Sequence, residues 1–527
     1  MIKTKSLYKK VSIAAFIMMS SVFLSRVIGI FREAVIAHIG GATGAVDGYL
    51  VAFLIPDILN HIVASGFLSI TFIPIFSHYL SVNDEEKGWE VFSIILTCFG
   101  SLVILLIIIA SVFTPEFIKI VAPGITEPDL QKSAIRMTRI IMPAQFFFFT
   151  GGLFMAVQFS KERFFLPALA PLLYNLGIIA GGIFLGSWLG IEGFSWGVLL
   201  GAFLGNFALQ YLGARKIGMK FYPVFDLKHP ELKKYFLLTL PLIIGLTMIF
   251  SAEFFFKFFG SFMPRGEIAC LNFAFRLMMI LAGFFGQAIG MAMYPFMTRL
   301  IVENKIAESN HLLNNILRLI SLVIPFSVLM MVLRHEIILI LYQHGEFDAA
   351  ATELTSQILI FFLIGVFAFS AQTVVVRGFY AMGNTLFPAI FMTAAVLLSV
   401  PFYFYAMHIM GARGIALAVS LSSILQVILL YGLWNKKRKN KESRKVYWFY
   451  VKIIIISLAI GAVLEWFKSK VLYGIDSRTF PGSLSVLALT GAMFLILFFL
   501  GGYIFKIKEI SEIKNSCAKK FKDLFDP

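Results

Sequence analysis

Arg26 and Arg32 stand six residues apart in the stretch SRVIGIFRE, inside an otherwise apolar run near the start of the chain. A guanidinium stays charged at any physiological pH and offers a planar fork of donors, so the chemistry it suggests is recognition of a phosphate or carboxylate. An ionisable side chain at membrane depth costs ~2.5 to 3.5 kcal/mol on insertion scales, so it usually faces a bundle interior or a water-filled cavity. By helical rise Arg32 lies ~9 Å beyond Arg26. Arg26, Gly29 and Glu33 share one helical stripe while Arg32 projects from another face, so Glu33 can neutralise either arginine. In LNFAFRLMMILAGFFGQAIGMAMYP, the residues Asn272, Arg276, Gly283, Gln287 and Gly290 recur at helical intervals and read as a cavity wall. A third polar stripe places Asp57, His61 and Ser65 four residues apart with Asn60 beside them, and Asp47 stands at the start of that segment.

Each of these residues also has a purely architectural reading. Arg26 or Arg276 could pair with Glu33 or Asp57 and hold helices together, Arg32 could snorkel, His61 could be a hydrogen-bonded interior residue, and Asp47 could cap its own helix. Glu253 in SAEFFFKFF is a weak candidate for a coupling-cation site, and pairing with Lys257 one turn on is the simpler reading. Arg136, Arg139, Arg318 and Lys452 lie near span ends, where snorkelling accounts for them. Cys98, Cys270 and Cys517 are too scattered for a disulfide framework or a metal site, and read as packing residues. There is no GxxxxGK[ST], HExxH or GxSxG, and the external loops are short and poor in paired acids. The chain therefore reads as a non-enzyme without a cofactor, and any work it does draws on membrane potential or an ion gradient.

The elements that must position these residues follow from composition. Of 527 residues 59% are hydrophobic and 14% charged, with a mean hydropathy of +0.87, whereas a soluble protein is about a quarter charged. About fourteen apolar runs are long enough to cross ~30 Å of hydrocarbon. The fold class is thus an all-α polytopic membrane protein. The net charge of +16 is no sign of nucleic acid, because the Lys and Arg gather in alternate connections: 215 to 234, KKRKNKESRK at 436 to 445, and the tail from Lys506 to Lys522. That bias places both termini in the cytoplasm. KTKSLYKK followed by an apolar run looks like a secretory signal without a cleavage site, and reads as a retained first helix.

One internal offset recurs. Pro74 and Pro295, Gly124 and Gly345, and Pro167-Ala168 and Pro388-Ala389 are each 221 residues apart and stand in matching positions relative to the spans. The expected organisation is an N-lobe of six helices over 1–225 and a C-lobe of six over 226–435. A basic linker with two further helices occupies 436–505, and a basic tail 506–527. Two parallel copies would be related by an axis along the membrane normal, with a cavity between them open alternately to each side.

Residues 25 to 76, SRVIGIFREAVIAHIGGATGAVDGYLVAFLIPDILNHIVASGFLSITFIPIF, closely resemble the opening of the MurJ/MviN family, the lipid II flippases of peptidoglycan synthesis. ERFFLPALAPLLYN (162 to 175), YQHGEFD (342 to 348) and RGFYAMGNTLFPA (377 to 389) resemble its later signatures. The family belongs to the MOP exporter superfamily, and the resemblance implies two six-helix lobes, alternating access, and a polyprenyl-tail groove formed by the last two helices. Arg26, Arg32, Asp47 and Arg276 match charged positions the family needs, with the arginines on the pyrophosphate of the lipid-linked disaccharide-pentapeptide. Asn60, His61, Asn272 and Gln287 complete the expected site. It also implies residence in the bacterial inner membrane, membrane lipids as neighbours, and contact with the cell-wall synthesis machinery. There are two departures from the family: Phe275 precedes Arg276 where an acid is usual, and Asn60-His61 and Ser65-Gly66 of the second helix stand where basic residues and a Glu-Gly are usual. The alternatives are a flippase for another undecaprenyl-pyrophosphate-linked oligosaccharide, and a non-transporting scaffold of cell-wall synthesis.

Overall fold

The computed structural model describes residues 2–61, 66–247, 251–384, 386–507 and 509–510, and in them the only regular structure is helix. Helix is what an apolar chain must form in hydrocarbon, where no water can bond an open N–H or C=O. Eleven helices among the described residues are long and apolar enough to cross a membrane. The first, second and seventh expected spans are occupied by Ile2–Gly40, by Gly44–Ala52, Leu54–Leu59 and Gly66–Ser81, and by Pro230–Thr247 and Ser251–Gly260. Outward faces such as Ile104, Leu105 and Ile108 of the third span, or Leu397 and Leu398 of the eleventh, are exposed apolar surfaces suited to lipid.

The chain forms two compact units, residues 1–269 with 344–348, and 270–343 with 349–527. In the first, the fifth and sixth spans, Phe165–Leu189 and Glu192–Lys216, meet through glycines. A Cβ on Gly181 would lie 2.4 Å from the Gly197 Cα, and one on Gly177 would lie 2.4 Å from the Gly201 Cα. Such close backbone approach is what holds helices together where surrounding lipid is as apolar as leucine. The sixth span contains a π-helical stretch, Ala202–Ala208, and Gly151 of the fourth span packs so tightly on it that a Cβ would fall 1.9 Å from the Asn206 carbonyl oxygen. Pro230–Thr247, which comes after the first basic linker, packs in this unit against Gly66–Ser81 and Glu85–Val112. Compactness and duplication therefore divide the chain at different places, near 269 and near 225.

In the second unit the tenth span, Ala349–Ala381, is the central helix, and Gly365 and Gly378 seat it on Ser420 and Trp434 of the twelfth. The thirteenth, Ser443–Lys470, is tied by Lys468, whose Nζ lies 2.8 Å from the buried Glu336 carboxylate and donates to the Val332 carbonyl at 3.0 Å. Part of the 436 to 445 linker is built in rather than solvated. Asn440 is buried and donates to Asn314 at 2.9 Å, Tyr431 donates to the same Asn314 oxygen at 2.7 Å, and Trp434 donates to Asn310 at 3.0 Å. Most of the tail, with Cys517, lies outside the described residues, whereas Cys98 and Cys270 are buried thiols.

The duplication is visible in the backbone. Pro128–Ser160 and Phe165–Leu189 reappear as Ala349–Ala381 and Leu386–Met410, each shifted by 221 residues. Left-handed backbone recurs at the same offset in Asn83 and Asn304, Glu162 and Gly383, Gly190 and Gly411, and Gly218 and Lys439. A position that takes φ of about +50° to +90° twice, once with glycine and once with a residue that is strained there, preserves the turn rather than the side chain.

Replacing Gly197 with Leu should force the fifth and sixth helices apart, since even a Cβ on Gly197 would sit 2.6 Å from the Gly177 carbonyl oxygen. The expected cost is at least the ~1 to 3 kcal/mol of core overpacking. Thermal unfolding followed by size exclusion in detergent would report it, and a variant as stable as the parent would refute the packing described.

Candidate functional site

Arg32 is the best-defined guanidinium of the first span. It forms an ion pair with the buried Glu33, and its Nη1 donates to the Asn175 side-chain oxygen of the fifth span at 3.0 Å. Asn175 in turn donates to Ser25 Oγ at 3.2 Å and to the Pro171 carbonyl at 2.9 Å. That carbonyl lies one turn before Asn175 on the same helix, so the amide is oriented by its own backbone. The Arg32 Nε is buried without an acceptor among the described residues. The local arrangement thus holds a partly exposed cation in place while leaving donor capacity unused. Arg26 is exposed one and a half turns earlier. Of the arginine's two partners, Glu33 was legible in the sequence; Asn175 was not, although it closes the motif ERFFLPALAPLLYN. Its only signal was an amide in an apolar run.

Asp47 is a cap, but of a different helix. It lies in the first turn of Gly44–Ala52, is 3% exposed, and accepts the Gly266 N–H at 2.5 Å and the Ala269 N–H at 2.8 Å. Those are the opening amides of the eighth span, Glu267–Val302. Around it the connecting loops of the first unit interlock. Gly266 has φ +88° and lies so close to Ala42 that a Cβ would fall 2.0 Å from its carbonyl oxygen. The His38 carbonyl accepts the Glu346 N–H at 2.9 Å, the Gly124 N–H donates to Ser261 Oγ at 3.0 Å, and the Arg265 Nε donates to Glu127 at 2.7 Å. The YQHGEFD segment therefore reaches this cluster through its last residues.

The second span is broken where its polar residues fall. A turn at Phe53 separates Gly44–Ala52 from Leu54–Leu59, and Asn60 and His61 form a π turn. Asp57, Asn60 and His61 are half-buried, and Ser65 lies outside the described residues. Glu253 stands within electrostatic reach of His61 and forms a 3.0 Å ion pair with the buried Lys257. A lysine thus already neutralises the weak cation candidate.

In the second unit the eighth span carries Asn272, Arg276 and Gln287, the first fully buried and the others partly so. Helical spacing puts them on one face, but the π-helical stretch Gly283–Gln287 inserts a residue into the turn and rotates the helix beyond it. Gly286 and Gly290 pack on the tenth span. A Cβ on Gly286 would meet the Ser370 Cα at 2.7 Å, and one on Gly290 the Arg377 Nη1 at 2.1 Å. Arg377 donates to the Gln287 carbonyl at 3.3 Å. This half-buried arginine opens the RGFYAMG motif, and its nearness to Gln287 is invisible in a linear reading.

The arrangement of spans defines a class before it defines a family: a polytopic helical membrane protein of the fold found in multidrug exporters. One inward-facing MATE family transporter of the MOP superfamily superposes with a TM-score of 0.66 at 14% identity, covering 78% of this chain and 94% of that one. A lipid II flippase MurJ in an inward closed conformation superposes with a TM-score of 0.74 at 24% identity, over 93% of this chain and 99% of that one. The family model described as lipid II flippase MurJ matches residues 36–483, and the chain belongs to that family, whose members are transporters and not enzymes. A probable lipid II flippase MurJ of Buchnera aphidicola subsp. Schizaphis graminum is 29% identical over 500 residues, 91% of this chain and 94% of the relative. The lipid II flippase MurJ of Burkholderia cenocepacia is 24% identical over 451 residues, 84% and 87% of the two chains.

With both carboxylate oxygens taken by backbone amides, Asp47 should matter first to stability. A charged cap contributes on the order of 1 to 2 kcal/mol, so Asp47→Ala should lower the thermal midpoint, and Asp47→Asn by less. Unchanged midpoints in both would show that the two hydrogen bonds carry no weight.

Proposed function

We propose that the chain carries lipid II from the cytoplasmic to the external leaflet by alternating access, with Arg26, Arg32 and Arg276 as the residues that hold the head group. The observation that carries this reading is Arg32, oriented by Glu33 and Asn175 with a buried donor still open. A pyrophosphate supplies the acceptors such donors lack, and charge-assisted bonds in a low-dielectric cavity are the strong ones. Asn60, His61, Asn272 and Gln287 supply neutral donors and acceptors for sugar and peptide, and Arg377 joins them. Asp47 we assign to the interlocked loops, which act as the external gate, rather than to the substrate.

Orientation and driving force follow from charge. The basic connections favour a cytoplasmic membrane location with both termini inside. A potential negative inside pushes an anion outward, by ~2.3 kcal/mol per charge per 100 mV. The thirteenth and fourteenth helices offer an apolar flank for the polyprenyl tail. Contact with cell-wall synthesis enzymes follows from the substrate alone.

Arg26→Ala and Arg276→Ala should each reduce externally exposed lipid II to near background in cells depleted of their own flippase; full activity in both would sink the assignment. The gate has its own test. Joining Glu127→Cys and Arg265→Cys with a short reducible bifunctional thiol reagent should stop transport, and reduction should restore it. Normal transport by protein shown by mass to be cross-linked would remove the gate from the mechanism.

A further inference from the structure

The connection between the sixth and seventh spans does not behave as a solvated basic loop. Residues 219 to 226 have no regular structure, yet Phe221, Tyr222, Val224 and Phe225, with Leu227 just beyond, are exposed. A segment that irregular is pinned against the third span, where the Tyr222 N–H donates to Ser93 Oγ at 3.0 Å. Beyond Ser101 the third span turns bare, with Leu102, Ile104, Leu105 and Ile108 exposed. The connection thus covers the first turns of that helix and stops where its lipid-facing surface begins, which is where a membrane interface belongs.

At this edge lies a groove of about 690 Å³. Its floor is apolar, formed by Leu102 and Leu105 of the third span, Phe225 and Leu227 of the connection, and Phe236 of Pro230–Thr247. Its polar lining includes Lys228 and Lys233. Three other lysines at this end of the unit are paired: Lys161 with Glu85, Lys220 with Glu86 and Lys234 with Glu231. Lys228 and Lys233 have no ion-pair partner among the described residues. The nearby acids are engaged, Asp226 by the Lys228 N–H at 2.9 Å and Glu231 by Lys234 at 3.3 Å.

We propose that this groove binds one diacyl phospholipid with an anionic head group, its phosphate between Lys228 and Lys233 and an acyl chain along Leu102 and Leu105. The apolar connection dips into the interface beside it and holds the first unit at a set depth. Two ammonium groups without an ion-pair partner among the described residues, at the mouth of an apolar channel, complement an anionic amphiphile, and they discriminate against a zwitterionic one, whose own cation is repelled. The groove is separate from the Arg32 cluster and does not depend on the transport reading. In the orientation proposed above it faces the inner leaflet.

The test is native mass spectrometry of the full chain in detergent with phosphatidylglycerol and phosphatidylcholine added in equal amounts. The parent should retain one phosphatidylglycerol in roughly tenfold preference, from two lysines each favouring the anion by a few-fold. The double variant Lys228→Gln, Lys233→Gln should lose that preference, whereas Lys216→Gln, outside the groove, should keep it. Circular dichroism and size exclusion check that both variants fold. A second variant, Leu102→Trp, narrows the channel without touching charge and should lower retention of either lipid. An unchanged preference in the double lysine variant, equal retention of both lipids by the parent, or capture of a polyprenyl lipid in place of phosphatidylglycerol would each overturn the proposal.

Discussion

Everything in this molecule depends on the cost of an unsatisfied peptide group in hydrocarbon. That cost makes each span a helix, because a helix bonds its own backbone. It also governs where a helix can be interrupted. The second span breaks at Phe53 and again at Asn60 and His61, and the sixth and eighth carry π-helical stretches at Ala202–Ala208 and Gly283–Gln287. At the break in the eighth span the freed Gln287 carbonyl accepts from Arg377 of the tenth. Once the helices are formed, burial of apolar surface no longer favours their association, since lipid is equally apolar. Glycine takes over that role, in the fifth and sixth spans and again where Gly286 and Gly290 admit the tenth.

The same cost separates structural charges from those suited to a ligand. Lys257 with Glu253, and Lys468 with Glu336, are ion pairs with one member almost wholly buried, and each joins or braces helices. A pair of that kind is expensive to break because the surviving charge is stranded. Arg32 differs in having a fixed partner, an amide that orients it, partial exposure and a donor left over. Asp47 falls on the structural side, its carboxylate committed to two opening amides of another helix.

The duplicated halves keep their turns more faithfully than their side chains. Four left-handed positions recur 221 residues apart, two of them with different residues in the two copies. At the same offset Arg32 corresponds to Glu253, so the side chain changes sign while the helix is kept.

The amino-acid sequence by itself determined the membrane class, the run of spans and the offset of 221. These depend on hydrophobic length, spacing along one chain, and the types of residue, all of which are local. The family was legible as well, because the opening segment and YQHGEFD carry enough specific residues. The tertiary structure alone decided which partners these charges take. Asn175 reaches Arg32 across 143 residues and Gly266 reaches Asp47 across 219, and the π-helical stretch Gly283–Gln287 departs from the 3.6-residue period on which a helical wheel is drawn. Helical period says which residues share a face; only the packing of one helix on another says what that face meets.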